Sequence, residues 1–142
     1  MNECRKPIYI DRTLLTSHAF LELTGRAPQT LLIFYGKRRV EKLKRPGPQG
    51  ERYRVTNGRQ LEFTFLEALH KYGMSAKVFG HALNELVEHG FLDIAKQGGG
   101  LNRDKTLFAL SDRWRRYGTV DFVSVSPKTG RWFKVEWSPG RM

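Results

Sequence analysis

The sequence predicts an α+β fold, on three observations. Residues 64–73 open with Thr64 three positions before Glu67 and close on Gly73; residues 75–90 open with Ser75 and close on Gly90; residues 91–110 hold two apolar runs on either side of a glycine-rich loop. In a Thr-x-x-Glu pair each side chain satisfies a backbone donor that the first helical turn leaves orphaned, so a helix starts near Phe65. Met74 and Ser75 make the turn, Ser75 caps a second helix over 76–89, and Gly90 stops it. Everything else in the chain is read as attached to residues 63–110.

From the N-terminus, Ile8-Tyr9-Ile10 reads as a short strand. Ser17 caps a helical turn through Phe20, Leu21 and Leu23 that ends at Gly25. Pro28 suits the first position of a helix, and Leu31-Leu32-Ile33-Phe34-Tyr35 is too apolar for a surface. A buried helix over 28–38 is therefore expected to pack behind residues 63–110. In Arg39-Val40-Glu41-Lys42-Leu43-Lys44-Arg45 only Val40 and Leu43 are apolar, which fits either a strand or a frayed helix. Pro46-Gly47-Pro48-Gln49-Gly50 reads as a flexible break, the best candidate for a disordered loop. Residues 53–56 and 59–63 alternate and are joined by Asn57-Gly58, the strongest short-range hairpin signal. That hairpin is expected to bury Tyr53, Val55, Leu61 and Phe63 on one face and turn Arg52, Arg54 and Gln60 outward.

At about 100° per residue, Phe79, Ala82, Leu83, Leu86 and Val87 fall on the core face of the second helix. Lys77, His81, Asn84 and Glu88 fall opposite, with Glu85 at the border. Residues 91–96 and 105–110 are the strands and 97–104 the loop between them. Residues 111–118 read as a short capped helix anchored by Trp114 and Tyr117, with Arg113, Arg115 and Arg116 outside. The domain expected is 1–118, followed by a C-terminal β-hairpin or partly disordered tail over 119–142, with strands at Phe122-Val123-Ser124-Val125 and around Trp132, Phe133 and Trp137.

The 142 residues suffice for one core, burying roughly 68–70% of the unfolded surface. Seventeen aromatics argue against global disorder. No stretch approaches the roughly 18 consecutive apolar residues that span a bilayer, and the N-terminus lacks a signal-like apolar region, so no membrane and a cytoplasmic location are expected. Cys4 stands alone and can form neither an internal disulfide nor a zinc cluster. A formal net charge of +11 points to a polyanionic partner. Its placement is uneven. Residues 37–59 carry nine Lys/Arg against two Asp/Glu, net +7; residues 60–100 carry three against five, net −2; residues 101–142 carry nine against four, net +5. The two-helix segment is mildly acidic between basic flanks.

The usual catalytic constellations are missing from the pattern, and neither an enzyme nor a cofactor is expected. His18, His70, His81 and His89 show no metal-ligand spacing; His81 is the one placed on an outward helix face, while His70 and His89 read as helix-end histidines near terminal carbonyls. No Gly-Lys-Ser/Thr follows Gly98-Gly99-Gly100, so it is a loop tip rather than a phosphate loop. Asp121 with Lys134 and Glu136 reverses the order a metal-dependent nuclease uses and lacks a second close carboxylate.

Helix, tight turn, helix and hairpin, with Leu86-Val87-Glu88-His89-Gly90-Phe91-Leu92 at the exit of the second helix, resembles the winged helix-turn-helix family over about a third of the chain. The order of buried helix, basic hairpin and winged helix is also similar to the N-terminal domains of phage replication proteins and plasmid replication initiators. The resemblance implies a winged helix-turn-helix with an additional N-terminal helical segment and a basic β-hairpin. It implies double-stranded DNA as partner, bound by a transcriptional regulator or replication initiator whose second helix enters the major groove. The groove readers would be Ser75, Lys77, His81 and Asn84, and the wing residues Asn102, Arg103 and Lys105. Phosphates would fall to Lys37, Arg38, Arg39, Lys42, Arg52, Arg54, Arg113 and Arg116. Two rivals stand beside it: a winged-helix protein-docking module using the aromatic C-terminal segment, and a single-stranded nucleic-acid binder stacking bases on Trp132 and Trp137. A homodimer would suit a palindromic site, though no heptad announces one.

Overall fold

The structure, a computed structural model, describes residues 7–50, 52–96, 98 and 105–125. Among these the fold is α+β, with four α-helices, two 3-10 turns and two small antiparallel sheets. Helices α3 (Phe65–Tyr72) and α4 (Ala76–Glu88) start where their caps dictate. The Thr64 hydroxyl accepts from Glu67 N at 3.1 Å and the Ser75 hydroxyl from Val78 N at 3.2 Å. Only half of the expected capping box forms, because the Glu67 carboxylate turns to Lys37 Nζ at 2.9 and 2.7 Å. Gly73 ends α3 at φ 69, and the N–H of Met74 reaches back to Ala68 O, satisfying a carbonyl that the helix end would orphan. Gly90, at φ 90, is needed twice over: a Cβ there would meet Trp114 N at 2.6 Å.

Ahead of these helices, Arg12–Thr16 forms a 3-10 turn capped by Asp11, a feature absent from the expectations. The Ser17 hydroxyl accepts from Phe20 N and begins α1 (His18–Leu21). Helix α2 (Ala27–Lys37) holds Pro28 in its first turn, buries Leu31 and Phe34, and packs across α4. Residues 8–10 are not a strand. They run irregularly along the end of α2, where Arg38 Nη2 donates to Tyr9 O at 2.8 Å and Ile8 lies against Gly36.

The hairpin expected across Asn57-Gly58 does not form. Strand β1 (Val40–Lys42) pairs instead with β2 (Tyr53–Val55), in the register Val40↔Val55, Glu41↔Arg54, Lys42↔Tyr53. Pro46-Gly47-Pro48-Gln49-Gly50, far from a disordered break, closes its tip: Gly50 N donates to Gly47 O at 3.1 Å and Gly47 N to Gly50 O at 2.6 Å. Asn57 has other work. Its Oδ1 accepts from Arg39 N at 2.7 Å and its Nδ2 donates to Lys37 O at 3.1 Å, so its side chain occupies backbone groups left over where α2 passes into β1. Leu61 then bridges to Phe108 by two backbone bonds, adding an edge to the second sheet, formed by β3 (Leu92–Lys96) and β4 (Leu107–Leu110). Of the four side chains expected on one buried face, Leu61 and Phe63 are buried while Tyr53 and Val55 are exposed.

The core lies between α2, α3, α4 and the β3–β4 hairpin. Phe34 meets Phe63 and Phe108 edge-on at centroid distances of 5.4 and 5.2 Å, and Phe63 meets Phe79 at 4.6 Å. All five side chains expected on the core face of α4 are buried. A second 3-10 turn, Arg113–Arg116, stacks Trp114 on Phe91. Phe122-Val123-Ser124-Val125 runs without strand structure; the second arm of the C-terminal hairpin lies outside the described residues. No helix among the described residues is long and apolar enough to cross a membrane.

Candidate nucleic-acid interface

With Phe79, Leu83 and Leu86 in the core, the first half of α4 presents Ser75, Lys77, Val78 and His81 to solvent. Lys77 and His81 make no hydrogen bond or ion pair among the described residues. Asn84 is placed differently. It is half-buried, and its Oδ1 is enclosed without a hydrogen-bond partner among the described residues, so it sits at the rim of the face rather than on it. Glu85 is occupied: its two oxygens accept from Thr24 N and Thr24 Oγ1, each at 2.7 Å, which pins the α1–α2 connection to α4. On the outward side this leaves Glu88 as the exposed carboxylate of the helix. Beside it, α3 exposes Leu66 and Leu69.

The β3–β4 hairpin brings Lys105 to its stem, exposed and 3.4 Å from Glu62. Asn102 and Arg103, expected at its tip, lie outside the described residues, as do Trp132, Phe133 and Trp137.

The cations expected at phosphates divide sharply. Lys37 is a structural residue: half-buried, bidentate to Glu67, with its ammonium 4.8 Å from the Phe63 ring centroid. Arg38 stacks on Tyr35 at 4.8 Å while holding Tyr9 O. Arg113, expected outside, is internal. Its side chain is 14% exposed, its Nε donates to Asp93 Oδ1 at 3.0 Å, Nη2 to Val87 O and Leu92 O at 3.1 and 2.9 Å, and Nη1 to Val123 O at 3.0 Å. A planar five-donor fork is the one side chain able to serve so many carbonyls at the end of α4 and the start of β3. Arg116 is exposed and 3.2 Å from Asp121.

The remaining cations gather on the β1–β2 ribbon. Arg39, Lys42, Lys44, Arg45, Arg52 and Arg54 are all exposed. Arg54 faces Glu41 at 2.9 Å, and Arg52 lies across Gly47 while its Nε donates to Arg45 O at 3.2 Å. The same ribbon exposes Val40, Tyr53 and Val55, an apolar set the sequence reading missed. Alternation within 40–42 and 53–55 was the signal, hidden because 53–56 was paired with 59–63.

A histidine–tyrosine ladder closes the far end of α4. Tyr117 lies between His89 and His18, stacked at 4.7 and 5.6 Å, and its hydroxyl donates to Glu22 Oε1 at 2.9 Å. Burial, then that bond to Glu22, pushes the Tyr117 phenol above its ordinary value. His89 Nδ1 lies 2.9 Å from Glu85 O, the helix-end contact expected for it; a carbonyl only accepts, so Nδ1 carries a proton. Among the described residues no group of three or more His, Cys, Asp or Glu is placed to hold a metal ion. No protein-family model, curated protein or solved structure matches this chain.

Proposed function

We propose that this chain is a non-enzymatic, winged helix-turn-helix protein that binds double-stranded DNA, acting as a transcriptional regulator or replication initiator. In this reading α4 enters the major groove, β3–β4 is the wing, and cations outside the core grip phosphates. One observation carries it. The first half of α4, from which such helices read bases, presents Ser75, Lys77 and His81 outward on a backbone fixed by a side-chain cap and a packed core. The acidic character of the segment weighs less than its net charge suggests, since Lys37 and Arg113, both from outside it, pair with Glu67 and Asp93.

The exposed Leu66 and Leu69 on α3 favour a second reading, a protein-docking module. Fluorescence anisotropy of the full chain with a mixed-sequence duplex and with a single strand, across a salt series, separates the readings. Tighter binding to the duplex, weakening steeply with salt, is the expected result. Lys77→Ala with His81→Ala should then reduce preference for a selected site more than binding to random duplex. Absence of duplex binding at low salt overturns the DNA reading and leaves the docking module.

A further inference from the structure

The β1–β2 ribbon has the composition of a contact surface and the packing of an arm. Its register puts Val40, Lys42, Tyr53 and Val55 on one face and the Glu41–Arg54 pair on the other. On the first face Val40 is 51% exposed, Tyr53 59% and Val55 39%, so the apolar side chains of the ribbon reach no core. A two-stranded ribbon is marginal in water unless its apolar face is covered. Here the base is fastened, by Asn57 to Lys37 and Arg39 and by Thr56 N to Arg39 O at 2.8 Å, and the tip is closed by the Gly47–Gly50 turn. Nothing among the described residues covers the face between them.

Charge selects the occupant. The ribbon with its base, residues 39–56, carries six Lys/Arg against two Asp/Glu, net +4; the Glu41–Arg54 pair on the opposite face cancels its own two charges, so the excess comes from Arg39 at the base, Lys42 on the apolar face and Lys44, Arg45 and Arg52 toward the tip. A second copy laid face to face would set +4 against +4. A surface with phosphates at its rim and apolar sugar between them matches both the charge and the side chains.

We infer that the ribbon is a second DNA-contacting element, which lays Val40, Tyr53 and Val55 along the sugar walls of the duplex beside the α4 site while Lys44, Arg45 and Arg52 hold phosphates. The inference rests on the DNA-binding reading above and adds an arm to it. At about 3.3 Å per step the ribbon from Val40 to Arg45 reaches at most about 17 Å, the length of about five base pairs spaced about 3.4 Å apart.

The test compares the full chain with a Tyr53→Ser, Val55→Ser variant on two mixed-sequence duplexes, of about one and about three helical turns. Since neither side chain contacts the core, the variant should keep the wild-type thermal melt. On the long duplex the variant should bind about tenfold more weakly, and on the short one the two proteins should differ by less than about twofold. For a selected site, hydroxyl-radical protection should shorten at one end by about five base pairs, with site preference unchanged. Equal affinity and equal protection by wild type and variant overturn the arm and leave the α4 reading standing. A weakening that is the same on both duplexes overturns it as well. A concentration-dependent dimer abolished by the variant, with protection unchanged, reassigns the face to a second copy. Failure of the wild type to bind any duplex removes both proposals, a result distinct from the others.

Discussion

Arg113 shows how one side chain changes meaning between sequence and structure. In the run Arg113-Trp114-Arg115-Arg116 it reads as one of three surface cations, and nothing local distinguishes it from its neighbours. The 3-10 turn decides otherwise by burying Trp114 and directing the guanidinium under β3, where it joins Asp93 to three carbonyls. Arg113→Ala strands those acceptors and should cost about 3 kcal/mol in urea unfolding, and Arg113→Lys, which keeps the charge but not the fork, should recover less than about half of it. A loss below about 1 kcal/mol would mean that water replaces the guanidinium at little cost. Arg115 behaves differently, at the surface. Its hydrogen bond to Asp11, reinforced by those of Thr13, lowers the Asp11 carboxyl from 3.8 to about 2. Because the folded value is depressed, the stabilisation is complete above pH 3.8 and is lost as the pH falls through about 2. An NMR titration of Asp11 should give that midpoint, and Arg115→Ala should raise it toward the ordinary value.

At the scale of elements, helix ends and the β3–β4 hairpin were legible, and the strand partner of residues 53–55 was not. Thr64, Gly73, Ser75 and Gly90 act within a few residues of themselves, so their chemistry is written locally and α3 and α4 begin and end where those residues put them. Gly73 offers a clean measure of that local chemistry. A Cβ there meets nothing within 4 Å, yet φ is +69, so Gly73→Ala should cost about 1 kcal/mol from backbone strain alone and Gly73→Asn less, as read by thermal unfolding. Asn57-Gly58 carried an equally strong local signal and lost to distant partners. Asn57 satisfies backbone groups of residues 37 and 39, while Leu61 finds Phe108, 47 positions on, and goes into the core. The candidate site divides along the same line. The outward place of Lys77 and His81 followed from helical periodicity and that of Ser75 from its role as the cap, whereas the half-buried state of Asn84 and the internal place of Arg113 depend on what packs from elsewhere.

Across the whole molecule, charge is sorted by what the core tolerates. The segment that supplies α3, α4 and β3 uses its carboxylates internally or at its seams, Glu67 with Lys37, Glu85 with Thr24 and Asp93 with Arg113, and it ends mildly negative. The excess cations are left to a ribbon that reaches no core, where none needs desolvation in the free protein. Arg39, Lys44 and Arg45 there form no ion pair among the described residues, unlike Arg116, which faces Asp121. A cation without a carboxylate nearby can take a phosphate and release a counterion without first breaking a pair. Each such phosphate contributes about −0.9 to the slope of log affinity against log salt. Lys44→Ala with Arg45→Ala should therefore flatten that slope by about two on random duplex, with site preference unchanged, while Arg116→Ala flattens it by less than about one. If the double variant keeps the wild-type slope, the tip does not sit at phosphates, and the salt dependence has to come from α4 and the β3–β4 hairpin, where Lys77→Ala and Lys105→Ala would carry it instead.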